Sequence, residues 1–179
     1  MEVVLQDIYL DNAATTYPKP EAVYAAMDRF AREKGGNPGR SGHRRSLQAG
    51  REVLRAREAV ARLLGVKDPS RVAFTKNATE ALNVVIQGVL ARGGHAVITS
   101  LEHNSVWRPL EAMARREGIS YTVVACSREG VLDVSALEEA LRPETRLVAC
   151  THASNVTGGL MPLGDIAALA ERHSIPLLV

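Results

Sequence analysis

Three short polar stretches carry the residues best suited to chemistry. In the first, Thr75-Lys76-Asn77-Ala78-Thr79-Glu80-Ala81-Leu82-Asn83, Asn77 stands where a helix N-cap should stand and Glu80 follows three residues later, the arrangement of a capping box. Leu82, Val85, Ile86, Val89 and Leu90 recur at helical spacing, so Ala78 and Thr79 fall in the first turn of a helix. Free backbone N–H groups and the positive end of the helix dipole suit that position to an anion such as a phosphate, with the Thr79 hydroxyl beside it. An ordinary well-capped helix has the same spacing, so the motif alone leaves both readings open. The second stretch, Ser100-Leu101-Glu102-His103-Asn104-Ser105, offers the His103 imidazole, which can move a proton near neutral pH. The third, Thr151-His152-Ala153-Ser154-Asn155-Val156-Thr157-Gly158-Gly159, offers the Asn155 amide. In a loop followed by glycines, Asn155 could equally fill a left-handed turn position.

A lone histidine is more often a cap or a surface group than a catalyst, and His103 and His152 both admit that reading. His95 and His173 read as structural or exposed. No pair of histidines stands at ligand spacing, which argues against a metal site built on His103 and His152. The glycines at 35, 36, 39 and 42 do not form a dinucleotide fingerprint, and no Walker A sequence occurs, so those phosphate-binding motifs are excluded.

These stretches need elements to hold them. From Arg71 onward strands and helices alternate. Strands are expected at Val72–Thr75, Ala96–Ser100, Tyr121–Cys126, Leu147–Thr151 and Pro176–Val179, and helices near Ala78–Ala91, Ser105–Glu117, Val134–Leu141 and Leu163–His173. The strands are continuous apolar runs, as expected where helices cover both faces of a parallel sheet. This predicts an α/β fold with three α/β/α layers and a mainly parallel sheet. The polar stretches follow the first, second and fourth of these strands, at the carboxyl ends where such sheets bind ligands. Upstream, Ile8-Tyr9-Leu10 reads as extended and Asp11 to Thr16 as a turn. A helix begins near Pro20 with Val23, Ala26, Met27 and Phe30 on one face, and Gly35 to Gly39 stop it. A longer helix runs from about Ser46 to Leu64, with Leu47, Val53, Leu54, Val60 and Leu64 inward and Gly65 at its C′ position. Residues 1–70 thus read as an N-terminal segment with helices, and 71–179 as the first part of an α/β domain.

Apolar residues make up 46% of the 179 and charged ones 23%, with a net charge of +2, ordinary values for a soluble globular domain. The densest basic patch, Arg40 to Arg45, is short, which speaks against nucleic acid. No signal peptide and no apolar run of membrane-spanning length is visible. Cys126 and Cys150 lie in apolar runs and read as buried small hydrophobes, which implies a reducing, cytoplasmic setting.

Taken in order, Tyr9-Leu10-Asp11-Asn12-Ala13-Ala14-Thr15-Thr16, Gly36-Asn37-Pro38, Asn77-Ala78-Thr79-Glu80-Ala81-Leu82-Asn83, Glu102-His103-Asn104 and Ser154-Asn155-Val156-Thr157-Gly158 resemble the cysteine desulfurase branch of the class V aminotransferase family. The resemblance runs along essentially the whole chain. It implies the type I fold of pyridoxal-phosphate enzymes, of which this chain would be the front part of the large cofactor-binding domain. It further implies a homodimer with active sites at the subunit boundary, and conversion of L-cysteine to L-alanine with a persulfide left on an enzyme cysteine. By the same resemblance, Ala78 and Thr79 would hold the cofactor phosphate. His103 would stack on the pyridine ring and assist proton transfers. Asn155 would hydrogen-bond the ring's phenolic oxygen and approach the substrate carboxylate. Ala13, Ala14 and His43 would line the substrate side.

The departures matter as much. In the family an Asp that pairs with the pyridinium follows the strand matching Pro176–Val179. The Lys that forms the Schiff base, the nucleophilic Cys and a carboxylate-binding Arg lie further on. Lys19, Lys34, Lys67 and Lys76 are the only lysines here, and none occupies a matching context. The expectation is a truncated and catalytically incompetent chain that binds pyridoxal phosphate weakly at most. A selenocysteine lyase or another class V aminotransferase, and a non-catalytic α/β binding module, are the competing readings. A sulfur-acceptor protein is an expected partner of the whole enzyme, and no membrane is. The truncated sheet would leave an edge and apolar faces exposed, favouring self-association.

Overall fold

The computed structural model describes residues 8–179; the first seven residues of the expected 1–70 segment lie outside the described residues. Two compact units result, one reaching to Ala73 and one comprising Phe74–Val179.

In the first unit, residues 8–10 form no strand, and Ile8 and Leu10 are exposed. The turn at Asp11 closes when its carbonyl accepts the Ala14 and Thr15 N–H groups. Helix α1 (Glu21–Arg29) continues as a wider π turn, Phe30–Lys34, and then α2 (Arg44–Leu63) follows. His43 caps α2 by accepting the Ser46 N–H at its Nδ1, 3.2 Å away. At the other end Gly65 takes φ +68°, while Val66 N–H reaches the Ala61 carbonyl and Gly65 N–H that of Arg62, the Schellman pattern expected of a C′ glycine. Gly36 is needed for packing, because a Cβ there would meet the Arg45 carbonyl at 2.8 Å. The expected inward face of α2 is a correction. Leu47, Leu54 and Leu64 are exposed, and Ser46, Ala49 and Ala61 are the residues it buries. Neither α1 nor the π turn buries a residue, so the leucines find no cover among the described residues of this unit.

The second unit holds α3 (Ala78–Leu90), β1 (His95–Thr99), α4 (Asn104–Glu117), β2 (Ser120–Val124), α5 (Val134–Glu139), β3 (Thr145–Ala149), α6 (Leu163–Arg172) and β4 (Leu177–Leu178). Its four strands lie in the order β2-β1-β3-β4, every pair parallel. Strand alternation divides the core between the two faces. Ala96, Ile98, Leu147 and Ala149 pack with Ile86 and Leu90 of α3 and Val106, Leu110 and Met113 of α4. Val97, Val148 and Cys150 pack on the other face with Leu137 of α5 and Ile166 and Leu169 of α6. This is the three-layer α/β/α arrangement. Every residue of β1 is buried, which explains why its sequence shows no polar alternation.

One expected strand is absent. Val72–Thr75 has no ladder partner among the described residues, and Phe74 is half exposed. A strand exists only through its neighbour, and α3 is therefore entered from an irregular segment. Cys126 and Cys150 fall just beyond β2 and β3 rather than within them.

Candidate functional site

The α3 N-terminus is built as its spacing suggests. Asn77 is extended, at φ −163°, and its Oδ1 accepts the Glu80 N–H at 2.9 Å. The reciprocal bond of the box is displaced by one residue, since Glu80 Oε2 accepts the N–H of Lys76 at 2.8 Å. Thr75 Oγ1 donates to the Asn77 carbonyl at 2.9 Å. The N–H groups of Ala78 and Thr79 then have no acceptor among the described residues. Two orphan donors at the positive end of a thirteen-residue helix form a cradle that suits an anion.

His103 is the N-cap of α4. Its Nδ1 accepts the Ser105 N–H at 3.1 Å and lies 2.9 Å from Ser105 Oγ. With Nδ1 turned to Ser105 in this way, Nε2 is the ring atom left facing outward. The turn that carries His103 is fastened by Glu102, whose Oε1 accepts Thr99 Oγ1 at 2.7 Å and the Thr151 N–H at 2.8 Å. One carboxylate therefore ties the end of β1 to the end of β3. Burial pushes the Glu102 carboxyl above its ordinary range, against the pull of those two hydrogen bonds.

Asn155 sits in a tight loop closed by Ser154 N–H to Gly159 O and Gly158 N–H to Ser154 O, at 3.0 and 2.8 Å. Buried Ser154 supports the turn, its Oγ accepting the N–H groups of Val156 and Thr157. The left-handed position is filled by Gly158 at φ +72°, and Ser174 is the only described non-glycine residue with positive φ. Asn155 is thus not the left-handed residue, and its side chain is exposed.

Three cavities meet at His103. One of about 440 Å³ is walled by Ala78, Leu82, His103, Ala149, Cys150 and Leu178. A second, about 560 Å³, runs from Thr79 and Asn83 of α3 past His103 to Arg108 and Arg116 of α4. The third, about 720 Å³, joins His103 and Trp107 to Ser154 and Asn155. Ala78, Thr79 and Asn155 each share a cavity with His103, so the four residues lie about one rim of the sheet. Ala13, Ala14 and His43 belong to the other unit: the two alanines are in the Asp11 turn and His43 is spent as the α2 cap.

No lysine lines these cavities. Lys76 stands 3.8 Å from Glu80 and is mostly exposed, a surface charge pair. Cys150 does border the smallest cavity, but burial first, and then the charge of Glu102, pushes its thiol up to about 12. A thiol held protonated is a poor nucleophile. Sequence reasoning passed over Glu102 and Cys150 as site residues; the adjacency of Glu102 to His103 was the one available signal. His95 is fully buried at the opposite end of β1, bridging Thr145 and Thr122, and His173 faces Glu138 on the surface. Among the described residues no cluster of His, Cys, Asp or Glu could hold a metal ion, and no helix is long and apolar enough to cross a membrane.

The parallel three-layer α/β/α sheet is the type I fold of pyridoxal-phosphate enzymes, which solved cysteine desulfurase structures share. The chain matches SspA in complex with cysteine at a TM-score of 0.86 and 30% identity, over 92% of this chain and 48% of that one. It matches the apo cysteine desulfurase of Thermococcus onnurineus NA1 with the same TM-score and identity, over 95% and 42%. Residues 8–179 match the family described as Aminotransferase class-V, and the chain belongs to that family. Cysteine desulfurase IscS of Dictyoglomus turgidum is 34% identical over 174 residues, covering 95% of this chain and 43% of that protein. The chain thus spans somewhat under half the length of the relatives it matches.

Proposed function

We propose that residues 1–179 form the front part of a pyridoxal-phosphate-dependent cysteine desulfurase, which converts L-cysteine to L-alanine and leaves a persulfide on an enzyme cysteine. The observation that carries this is the pair of orphan N–H groups at Ala78 and Thr79 in cavities shared with His103. The residues present fit the cofactor. The two N–H groups and the Thr79 hydroxyl would hold its phosphate, the apolar wall of Leu82, Ala149 and Leu178 would suit a flat ring, and Asn155 would supply an amide donor. Bound there, the cofactor supplies an electron sink for the bonds at the amino acid's α-carbon. His103 presents Nε2 for proton transfer while Ser105 keeps Nδ1 engaged. Glu102 holds the His103 turn against β3. Asn155 would approach the substrate carboxylate. Cysteine as the substrate is supported by the relatives named cysteine desulfurase and by the cysteine complex of SspA. A homodimer, a cytoplasmic setting and a sulfur-acceptor protein partner complete the reading.

Residues 1–179 do not complete the reaction by themselves, because no lysine borders the cavities and the one thiol that does is held protonated. Added pyridoxal phosphate should therefore produce a weak, phosphate-competed absorbance change, abolished by Thr79→Asp. Borohydride should trap no specific lysyl adduct. Trapping of one lysine in good yield would contradict the second statement; an absorbance change indifferent to phosphate and to Thr79→Asp would contradict the first.

A further inference from the structure

Beyond the cofactor rim, the outer face of α4 has a composition that the desulfurase reading does not use. Trp107, the only tryptophan of the 179 residues, is half-buried rather than enclosed in the core. It meets Tyr121 of the edge strand β2 edge to face, ring centroids 6.1 Å apart and planes at 89°. Tyr121 is locked in place because its hydroxyl donates to Glu111 Oε2 at 2.6 Å, and Arg115 holds the other oxygen of that carboxylate at 2.7 Å. The aromatic pair and Arg108, Arg115 and Arg116 line a cleft of about 440 Å³. Arg108 and Arg116 stand two helical turns apart, and both also line the polar groove between α3 and α4. They form a ridge between two concavities. Neither has a carboxylate partner among the described residues. Of the two acids on this face, Glu111 is already engaged by Arg115 and Tyr121, and Glu117 lies at the end of α4.

Trp, Tyr and Arg dominate the energetic centres of protein interfaces, where a rigid aromatic shelf supplies apolar area at little entropic cost. Guanidinium groups left unpaired beside such a shelf select carboxylates, which they can grip with two parallel hydrogen bonds. We infer that the outer face of α4 is a docking surface for an acidic segment of a partner protein, with Trp107 and Tyr121 taking an apolar side chain and Arg108 and Arg116 taking flanking carboxylates.

The sole tryptophan makes the test direct. Trp107 emission is followed while the protein is titrated with a helical peptide of roughly 15 residues carrying Glu pairs around a Leu. The same peptide with Lys for Glu and a short DNA duplex serve as comparisons. The acidic peptide should shift the emission saturably, and binding should weaken as salt is raised. The Arg108→Glu, Arg116→Glu double variant, altered at exposed positions only, should lose at least about tenfold in affinity while its circular dichroism is unchanged. Equal binding of both peptides, undiminished binding by the double variant, or tighter binding of the DNA would each overturn the assignment. So would a Trp107 already shielded from a soluble quencher in the free protein.

Discussion

Asn77 can be altered so that helix capping and anion holding separate. Its Oδ1 accepts the Glu80 N–H at 2.9 Å. Asn77→Ala removes that acceptor and adds Glu80 to the orphan donors. Loss of such a cap costs about 1 kcal/mol, a visible fraction of the roughly 5–15 kcal/mol that holds a domain together. Asn77→Asp keeps an acceptor of the same reach and adds a negative charge at the positive end of α3, so stability should be unchanged or slightly higher. For a bound phosphate the order reverses. A carboxylate about 6 Å from the anion repels each unit of its charge by about 0.7 kcal/mol at the dielectric of water and about 3 kcal/mol at an effective value near 20. That corresponds to roughly three- to hundredfold weaker binding, with the smaller figure expected at high salt. Urea unfolding followed by circular dichroism reads the first quantity, and equilibrium dialysis of inorganic phosphate and pyridoxal phosphate reads the second. Asp should bind phosphate worse than Ala while folding better. If the two variants instead lost phosphate affinity equally, the cradle would not be an anion site, and if they lost stability equally, Asn77 would not cap through its side-chain oxygen.

Three further outcomes follow from the same geometry. His95 is enclosed between the Thr145 and Thr122 hydroxyls at 2.8 and 2.9 Å, and burial first, then the charge of Arg142, lowers its pKa from 6.5, against a smaller opposite pull from Glu144. A lowered folded value means that the unfolded chain takes up the proton first. The contribution is fully present above about pH 6.5 and lost as pH falls toward the folded value, so the urea midpoint should drop between about pH 7 and pH 5.5, and His95→Gln should remove most of that slope. Cys150 should resist thiol reagents at pH 8 until the protein unfolds, whereas half-buried Cys126 should react in the native state; early labelling of Cys150, mapped by mass spectrometry, would refute its protonated, enclosed character. Glu102→Ala should raise the exchange rate of the Thr151 amide by at least about tenfold, and Glu102→Gln, which keeps an acceptor oxygen, should largely restore protection. Equal protection in all three proteins would remove Glu102 as the tie between β1 and β3.

The layered fold was legible because its signals are local and repeat. β1 is apolar through its centre, Ala96 to Ile98, since helices cover both its faces, and Asn77 and Glu80 carry their capping role in their spacing. What stayed hidden depends on neighbours distant in sequence. Val72–Thr75 has a strand's composition, but pairing requires a ladder partner that no local pattern encodes. Leu47, Leu54 and Leu64 mark the apolar stripe of α2 correctly as a stripe, yet whether a stripe is covered depends on what packs there. Glu102 stands in the sequence only as the neighbour of His103, and its bond to the Thr151 N–H spans 49 positions. Trp107 and Tyr121 come together only when β2 turns back along α4.

The central claim, that the α3 N-terminus and His103 grip one phosphorylated ring compound, is tested most directly by amide and imidazole NMR during titration with pyridoxal phosphate. The Ala78 and Thr79 amides should shift together with the His103 ring signals along a single saturation curve, and inorganic phosphate should reproduce the amide shifts without the ring shifts. Shifts confined to other regions, or amide and imidazole responses with different midpoints, would contradict it.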